Sequence, residues 1–279
     1  AIAVAAAVAA LVACALPADA QTRRAYTLDD LAKYKSVADP QVSPDGKWIV
    51  YQQDGGGNEL WDIFAVPSDG GDIVNLTNSA DVAEVAPRWS PDGRTIALNV
   101  KTKTGTQSDL ALLDWASGKI RHLTHESAPD RSWRSVAWSA DGKTLYASRT
   151  EVADSDGDVF GIDVATGKST NLTPHQDNVL HVASALSPDG KSLLISSNAK
   201  GGYQNVALLD IATGRLTWVT DTRWEANAGD FSPSGRSLTY TLNADGRSDV
   251  YEVDIATLRA EKLPLKAGIN ALAATQGSY

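Results

Sequence analysis

The chain has 279 residues, of which 43% are hydrophobic, and its formal net charge is −9. This length suffices for one large all-β domain. An acidic chain without a basic cluster argues against nucleic acid as a partner and disfavours attraction to anionic membranes.

Residues 1–20 are predicted to be a signal peptide. The apolar stretch that ends at Leu16 is too short for a confident membrane span, and Ala18-Asp-Ala20 has the small-x-small pattern of a signal-peptidase site. A rival cleavage site exists, because Leu11-Val-Ala-Cys14 resembles a bacterial lipobox in which Cys14 would be lipidated. We therefore expect an exported protein, periplasmic or secreted, with lipoprotein anchoring at Cys14 as the alternative. No transmembrane span is expected in the mature protein.

Residues 21–38 are predicted to form a lead-in segment with one short helix, from Thr27 to Lys35. Thr27 can cap the amino end of that helix, and Asp29 and Asp30 favour its first turn.

A four-residue turn recurs five times in residues 39–279. Its serines lie 47, 49, 48 and 45 residues apart, which is the period of a propeller blade. In this turn Pro presets the backbone, Asp can accept hydrogen bonds from its own backbone, and Gly tolerates positive φ. The five copies are Ser43-Pro-Asp-Gly46, Ser90-Pro-Asp-Gly93, Ser139-Ala-Asp-Gly142, Ser187-Pro-Asp-Gly190 and Ser232-Pro-Ser-Gly235.

Each turn is followed by two β-favouring runs, a polar hairpin turn, and a third run that ends on Leu-Thr, Val-Thr or Leu-Pro. A short fourth strand ends just before the next Ser-Pro-Asp-Gly copy. The predicted fold class is therefore all-β, a β-propeller of four-stranded antiparallel blades. The chain is expected to hold about five blades and the start of a sixth, at Ala274-Thr-Gln-Gly277, and so an incomplete propeller.

Large apolar residues recur at the end of the strand before the turn, among them Trp89, Trp138 and Phe231. Because one blade cannot bury both of its faces alone, we expect these residues to pack between neighbouring blades.

The motif search predicts no catalytic, cofactor-binding or metal-binding residue in this chain. No G-x-S-x-G nucleophile elbow is present in the sequence. The Gly161 to Ser169 segment resembles a phosphate loop but has five residues between its glycines instead of four, so a hairpin turn is expected.

Three other groups could suggest metal binding, and their spacing argues against it. Asp154-Ser-Asp-Gly-Asp158 lacks the calcium-loop spacing and is interpreted as a solvated loop. His122 and His125 lack the H-E-x-x-H frame, and His175 and His181 lie near blade junctions. Two glycosylation sequons, at Asn75 and Asn171, coincide with the recurring end of the third strand and receive no functional interpretation.

The repeats resemble the PD40, or TolB-like, β-propeller repeats. The segment from Tyr26 to Gly46 is similar to the start of bacterial prolyl oligopeptidase family (S9) serine peptidases, as are Gly229-Asp-Phe-Ser-Pro-Ser-Gly235 and the run from Leu263 to Asn270. This resemblance covers nearly all of the mature chain.

The resemblance implies peptide substrates and a C-terminal α/β-hydrolase domain, not in this chain, that carries a Ser-Asp-His triad. None of the triad can be carried over to residues here. Dipeptidyl peptidase IV relatives use adjacent glutamates near the propeller, and this chain has no Glu-Glu pair, so an oligopeptidase or acylaminoacyl-type parent is favoured. The alternative is a non-enzymatic TolB-like periplasmic propeller that acts as a protein-interaction platform.

Overall fold

The structure is a computed structural model that describes residues 37–54, 59–151, 153–266 and 268–270. The predicted signal peptide, the helix from Thr27 to Lys35 and the start of a sixth unit at Ala274 lie outside these residues. The described part consists of twenty strands, and it contains no helix that could cross a bilayer.

The strands form five antiparallel sheets of four, and neighbours in each sheet are consecutive in sequence. Sheet one has β1 (Val37–Val42), β2 (Trp48–Asp54), β3 (Trp61–Pro67) and β4 (Val74–Asn75). Sheet two has β5 (Val82–Trp89), β6 (Thr95–Thr102), β7 (Asp109–Asp114) and β8 (Ile120–His122). Sheet three has β9 (Arg131–Trp138), β10 (Thr144–Glu151), β11 (Gly157–Asp163) and β12 (Ser169–Asn171). Sheet four has β13 (His181–Leu186), β14 (Ser192–Ser197), β15 (Asn205–Asp210) and β16 (Leu216–Trp218). Sheet five has β17 (Glu225–Phe231), β18 (Ser237–Ala244), β19 (Arg247–Asp254) and β20 (Arg259–Lys262).

These sheets are the predicted blades, so the all-β propeller fold is confirmed. The structure also fixes where a blade begins. The strand before each Ser-Pro-Asp-Gly copy pairs with the strand after it, as β5 pairs with β6. It is therefore the first strand of the blade that follows, so its prediction as the fourth strand of the preceding unit is wrong, and the turn lies inside a blade.

The recurring turn is closed by its own side chains. Ser43 Oγ donates to Asp45 Oδ1 at 2.7 Å and accepts the Trp48 N–H at 2.9 Å. Asp45 Oδ1 also accepts the Lys47 N–H, and Gly46 adopts a φ of 71° that favours glycine. The Ser-to-Asp bond recurs in the next three turns, and in the fifth Ser234 replaces the Asp as the partner of Ser232.

A second recurring feature joins the third and fourth strands, and we call it the Thr bracket. In blade two, Thr124 Oγ1 accepts the buried Leu110 N–H at 2.9 Å and donates to Asp109 Oδ1 at 2.7 Å. Blades one, three and four contain the same bracket, with Thr77 and Asp62, Thr173 and Asp158, and Thr220 and Asn205. Blade five has Pro264 at this position, which has no hydroxyl.

The apolar cores lie between successive blades. Ile96 and Leu98 of β6 pack with Val50 and Ile63 of blade one, whereas Ala97 packs with Trp138 of blade three. Two further clusters join blades three and four and blades four and five. The central strands are therefore buried on both faces, which explains why their apolar runs do not alternate with polar residues.

The expected inter-blade packing of the large apolar residues is confirmed. Trp138 of blade three is 8% exposed, and its Nε1 donates to the Arg88 carbonyl of blade two at 3.0 Å. Trp89 packs on the cluster between blades one and two, and Phe231 on the cluster between blades four and five.

Candidate functional site

The two ends of each blade carry different kinds of connection. One end holds the Ser-Pro-Asp-Gly turns together with the short turns between third and fourth strands, and we call it the turn end. The other end holds the connections between second and third strands and the segments that lead to the next blade, and we call it the loop end. A network of ion pairs lies at the loop end of blades two to four, and it joins side chains from different strands and connections.

The first part of this network is centred on Arg131, at the start of β9. Its Nη2 lies 3.1 Å from Glu151 Oε1 and 3.1 Å from Asp156 Oδ2. Asp156 belongs to the connection between β10 and β11, so the guanidinium ties this loop to the first two strands of blade three.

His175 joins the same network between two carboxylates. Its Nε2 lies 3.0 Å from Asp156 Oδ1, and its Nδ1 lies 3.0 Å from both the Thr173 carbonyl and Asp158 Oδ1. Burial alone would lower the pKa of His175, but the Thr173 carbonyl and the two carboxylates outweigh it, so the pKa is raised. The imidazole is therefore held in a site that favours its protonated form.

The neighbouring His181 behaves in the opposite way. It is 4% exposed at the start of β13, and its ring centroid lies 5.2 Å from that of His175. Its pKa is lowered to about 4; burial is the largest cause, and the charge of the nearby His175 is the second. Within the described residues its Nδ1 has no hydrogen-bond partner.

A second ion pair connects blades two and three. Arg149 donates to Glu126 through Nε at 2.7 Å and through Nη2 at 3.0 Å, and its guanidinium carbon lies 5.8 Å from the ring centre of Trp133. The bond from Arg149 is the main cause that lowers the pKa of Glu126 to about 2. Such a two-bond pair fixes orientation more strongly than a single contact does.

The structure locates the other sequence candidates in ordinary structural roles. The segment from Gly161 to Ser169 contains the β11/β12 hairpin turn, as expected, with Asp163 Oδ1 accepting the Thr166 N–H. The rings of His122 and His125 stack with centroids 5.7 Å apart. Asn75 and Asn171 each accept the N–H of the Thr two residues later.

The interpretation of Asp154 to Asp158 as a solvated loop is wrong for its second half, because Gly157 and Asp158 begin β11 and the Asp156 and Asp158 side chains are only 20% and 22% exposed. Two of its carboxylates, Asp156 and Asp158, are engaged by His175. Among the described residues no group of three or more His, Cys, Asp or Glu side chains is arranged to hold a metal ion.

Sequence analysis missed the network itself, although the repeat contains a usable signal. Glu126 and His175 both lie two residues after the Thr of a Thr bracket, where blades one and four have Ser79 and Thr222. Aligning the repeats would have placed both titratable residues at the loop end. Their partners, Arg149 in strand β10 and Asp156 in the connection that follows it, belong to other parts of the repeat and could not be paired with them in this way.

Comparison with known families identifies the fold. A family model described as "TolB beta propeller domain" (PD40) matches residues 74–274, which is more than two thirds of the chain. The chain belongs to this family.

Two relatives and one solved structure of similar fold illustrate the range of proteins with which this PD40 propeller shares similarity. "Uncharacterized peptidase YuxL" of Bacillus subtilis (strain 168) is 27% identical over 234 residues, which are 81% of this chain and 32% of YuxL. "Tol-Pal system protein TolB" of Francisella tularensis subsp. holarctica (strain OSU18) is 27% identical over 88 residues, which are 32% of this chain and 20% of TolB. The crystal structure of puromycin hydrolase superposes with a TM-score of 0.66 at 19% identity, covering 85% of this chain and 38% of that one. The PD40 chain thus spans about a third of the length of YuxL, and the likeness to puromycin hydrolase is one of fold.

Proposed function

We propose that this chain is the propeller portion of an exported S9-type serine peptidase, which guides peptide substrates to a catalytic α/β-hydrolase domain and restricts the access of larger ones. The observation that carries the proposal is the extent of the match to YuxL, a protein named as a peptidase. That match covers 81% of this chain, whereas the match to TolB covers 32%.

The proposal divides the work between two domains. A propeller fold can serve many functions, so the activity has to be argued from a site. The sequence contains no nucleophile elbow, and the network of Arg131, His175 and Asp156 holds its own charges in ion pairs. The proposed hydrolase domain supplies a serine that attacks the peptide carbonyl, a histidine as base and an aspartate that orients it. The propeller contributes selection by size.

Export is part of the same proposal. The predicted signal peptide in residues 1–20 supports a periplasmic or secreted location, with Cys14 as the lipid anchor if cleavage precedes it.

Fluorophosphonate labelling tests the peptidase. The full-length polypeptide that carries this propeller should label at one serine when native and fail to label when it is heat-denatured before the reagent is added, while the 279-residue chain should stay unlabelled. A full-length polypeptide that remains unlabelled when native would contradict the proposal.

Substrate size tests the gating role separately. The native full-length enzyme, not treated with fluorophosphonate, should cleave short peptides much faster than it cleaves intact denatured casein. Equal rates on both would leave a peptidase whose propeller does not act as a filter.

The second candidate function is a non-enzymatic propeller that acts as a protein-interaction platform, which the 88-residue match to TolB favours. An unlabelled polypeptide recovered from the periplasm in a stable complex with another envelope protein would support this candidate over the peptidase.

A further inference from the structure

A cleft lies at the turn end between blades one and two, on the opposite end from the ion-pair network. It has a volume of about 360 Å³, and its lining residues are Ser43, Pro44, Asp45, Trp48, Trp89, Asp92, Gly93 and Trp115. Three of these eight residues are tryptophans. The ring of Trp115 packs edge to face against two indoles, with its centroid 5.2 Å from that of Trp48 and 5.0 Å from that of Trp89.

The repeat shows that blade stacking does not require three tryptophans here. Trp48 is the first residue of a second strand, and Trp115 directly follows a third strand. At the next blade junction the equivalent residues are Thr95 and Val164. The equivalence is structural as well, because Trp115 N–H donates to the Arg94 carbonyl as Val164 N–H donates to the Lys143 carbonyl. Two of the three indoles are thus additions to the common blade pattern.

The third tryptophan carries a hydrogen-bond donor without an acceptor. Trp89 and Trp138 end the first strands of blades two and three, and the Trp138 indole donates to the Arg88 carbonyl. The Trp89 Nε1 is buried and has no partner within the described residues. A buried unpaired donor is costly, so the junction of blades one and two carries an unsatisfied polar group where the next junction has a hydrogen bond.

The charge of the cleft has one sign. Asp45 and Asp92 line it, and no lysine or arginine is among the lining residues of the described part. The Ser43 and Ser90 hydroxyls, with backbone N–H groups, lower the pKa of these two carboxyls, so both are ionised at neutral pH. Two cations flank these carboxylates: Lys47 Nζ lies 3.6 Å from Asp45 Oδ2 on an exposed side chain, and the charge of Arg94 acts on Asp92.

We propose that this cleft binds an arginine side chain of an extended peptide, with the guanidinium stacked on the indoles and paired with Asp45 and Asp92. Tryptophan is the strongest aromatic partner of a cation, and the planar guanidinium stacks on aromatic faces better than an ammonium does. The ligand therefore matches the aromatic and the anionic features of the cleft together.

This assignment does not depend on the proposed peptidase, because it concerns binding at the turn end and needs no turnover. A polypeptide that fails the fluorophosphonate test could still bind the peptide, and an active peptidase could fail to bind it.

The probe is the blocked peptide acetyl-Ala-Pro-Arg-Ala-amide, titrated into the full-length polypeptide after fluorophosphonate treatment so that no peptide is cleaved, and followed by tryptophan fluorescence and calorimetry. We expect saturable binding in roughly the millimolar range, weakened by salt. The same peptide with Gln in place of Arg should bind at least about tenfold more weakly, and the Lys peptide should fall between them. Absence of saturable binding, or equal affinity for the Arg and Gln peptides, would overturn the proposal.

Variants that carry the residues of the next blade junction test whether the peptide binds in this cleft. Trp48→Thr and Trp115→Val place the residues of the next junction in this cleft, and each should weaken Arg-peptide binding about tenfold. Trp224→Ala, at an exposed residue of the loop end, should leave the affinity unchanged. Wild-type affinity in a folded Trp48→Thr variant would contradict the assignment.

A charge variant keeps the test decisive if a tryptophan variant fails to fold. Asp92→Asn retains an acceptor for the Ser90 hydroxyl but removes the charge, and should weaken binding and reduce its salt dependence. Asp189→Asn makes the same change in the blade-four turn and should leave binding at the wild-type value. Equal affinities in these two variants would overturn the role of the carboxylates.

Discussion

At the scale of single residues, His175 and His181 have neighbouring rings and opposite proton affinities. Asp156 and Asp158 stabilise the protonated form of His175 in the folded chain. The stability that His175 contributes is therefore complete below a pH of about 6.5 and is lost as the pH rises through its raised pKa. His181 is buried without a partner for its Nδ1 in the described residues, so it opposes protonation.

His181 should make the propeller sensitive to acid. The unfolded chain takes up a proton at a pH of about 6.5 and the folded chain at about 4, so stability falls as pH decreases through this interval. His181→Gln removes this titration, and we expect a smaller loss of unfolding free energy between pH 7 and 4.5, by roughly 2 kcal/mol. Urea denaturation at several pH values measures it. His122→Gln, at an exposed residue of β8, is the control, and a wild-type slope in His181→Gln would refute the prediction.

Leu258 is a residue in a backbone conformation that favours glycine. Its φ is 55°, and the equivalent turn residues of blades two, three and four are Gly118, Gly167 and Gly214, with φ between 68° and 74°. Leu258→Gly should therefore raise the free energy of unfolding by about 1 kcal/mol, because relief of the left-handed strain exceeds the added chain entropy. Denaturant titration measures the change. The control is Leu265→Gly, at an exposed residue whose φ is not positive, and this variant should be less stable than the wild type. The same loss of stability in Leu258→Gly would show that the turn at Leu258 is unstrained.

At the scale of the strand pair, the Thr bracket satisfies a buried backbone donor. Thr124→Val keeps the size of the side chain but leaves the Leu110 N–H without its Oγ1 acceptor and Asp109 without its hydroxyl donor. We expect a loss of about 1–3 kcal/mol in the free energy of unfolding. Chemical denaturation of Thr124→Val beside the exposed control Thr104→Val tests this. Similar small changes in both variants would show that the bracket is dispensable.

The strand pairs also show how far the sequence could predict the structure. The turn residues that define a hairpin lie within six positions of one another, from Ser43 to Trp48, so the five hairpins could be predicted from local chemistry. The pair of Glu126 and Arg149 spans 23 residues and depends on the register of β9 with β10, which contains a bulge between Ser135 and Ala137. Local patterns do not determine that register, and the candidate site was therefore missed while the fold was predicted.

At the scale of the whole molecule, stability depends on contacts between blades. Trp138 connects blades two and three through both its ring and its indole N–H. Trp138→Ala should cost about 3–5 kcal/mol of unfolding free energy, the usual range for a buried tryptophan. The unfolding midpoint followed by circular dichroism measures it, with Trp224→Ala, 44% exposed, as the matched control. Comparable losses in the two variants would contradict the assigned role of Trp138.

The self-contained turn has a consequence for how such a chain evolves. Each Ser-Pro-Asp-Gly copy forms its hydrogen bonds within six residues, so a duplicated gene segment encoding one blade would bring a complete turn with it. The surfaces between blades are not interchangeable in this way, because the residue that ends the first strand is Trp89, Trp138, Leu186 or Phe231 in successive blades. A new copy could fold its hairpin at once, and its later substitutions would be selected mainly where it meets its neighbours.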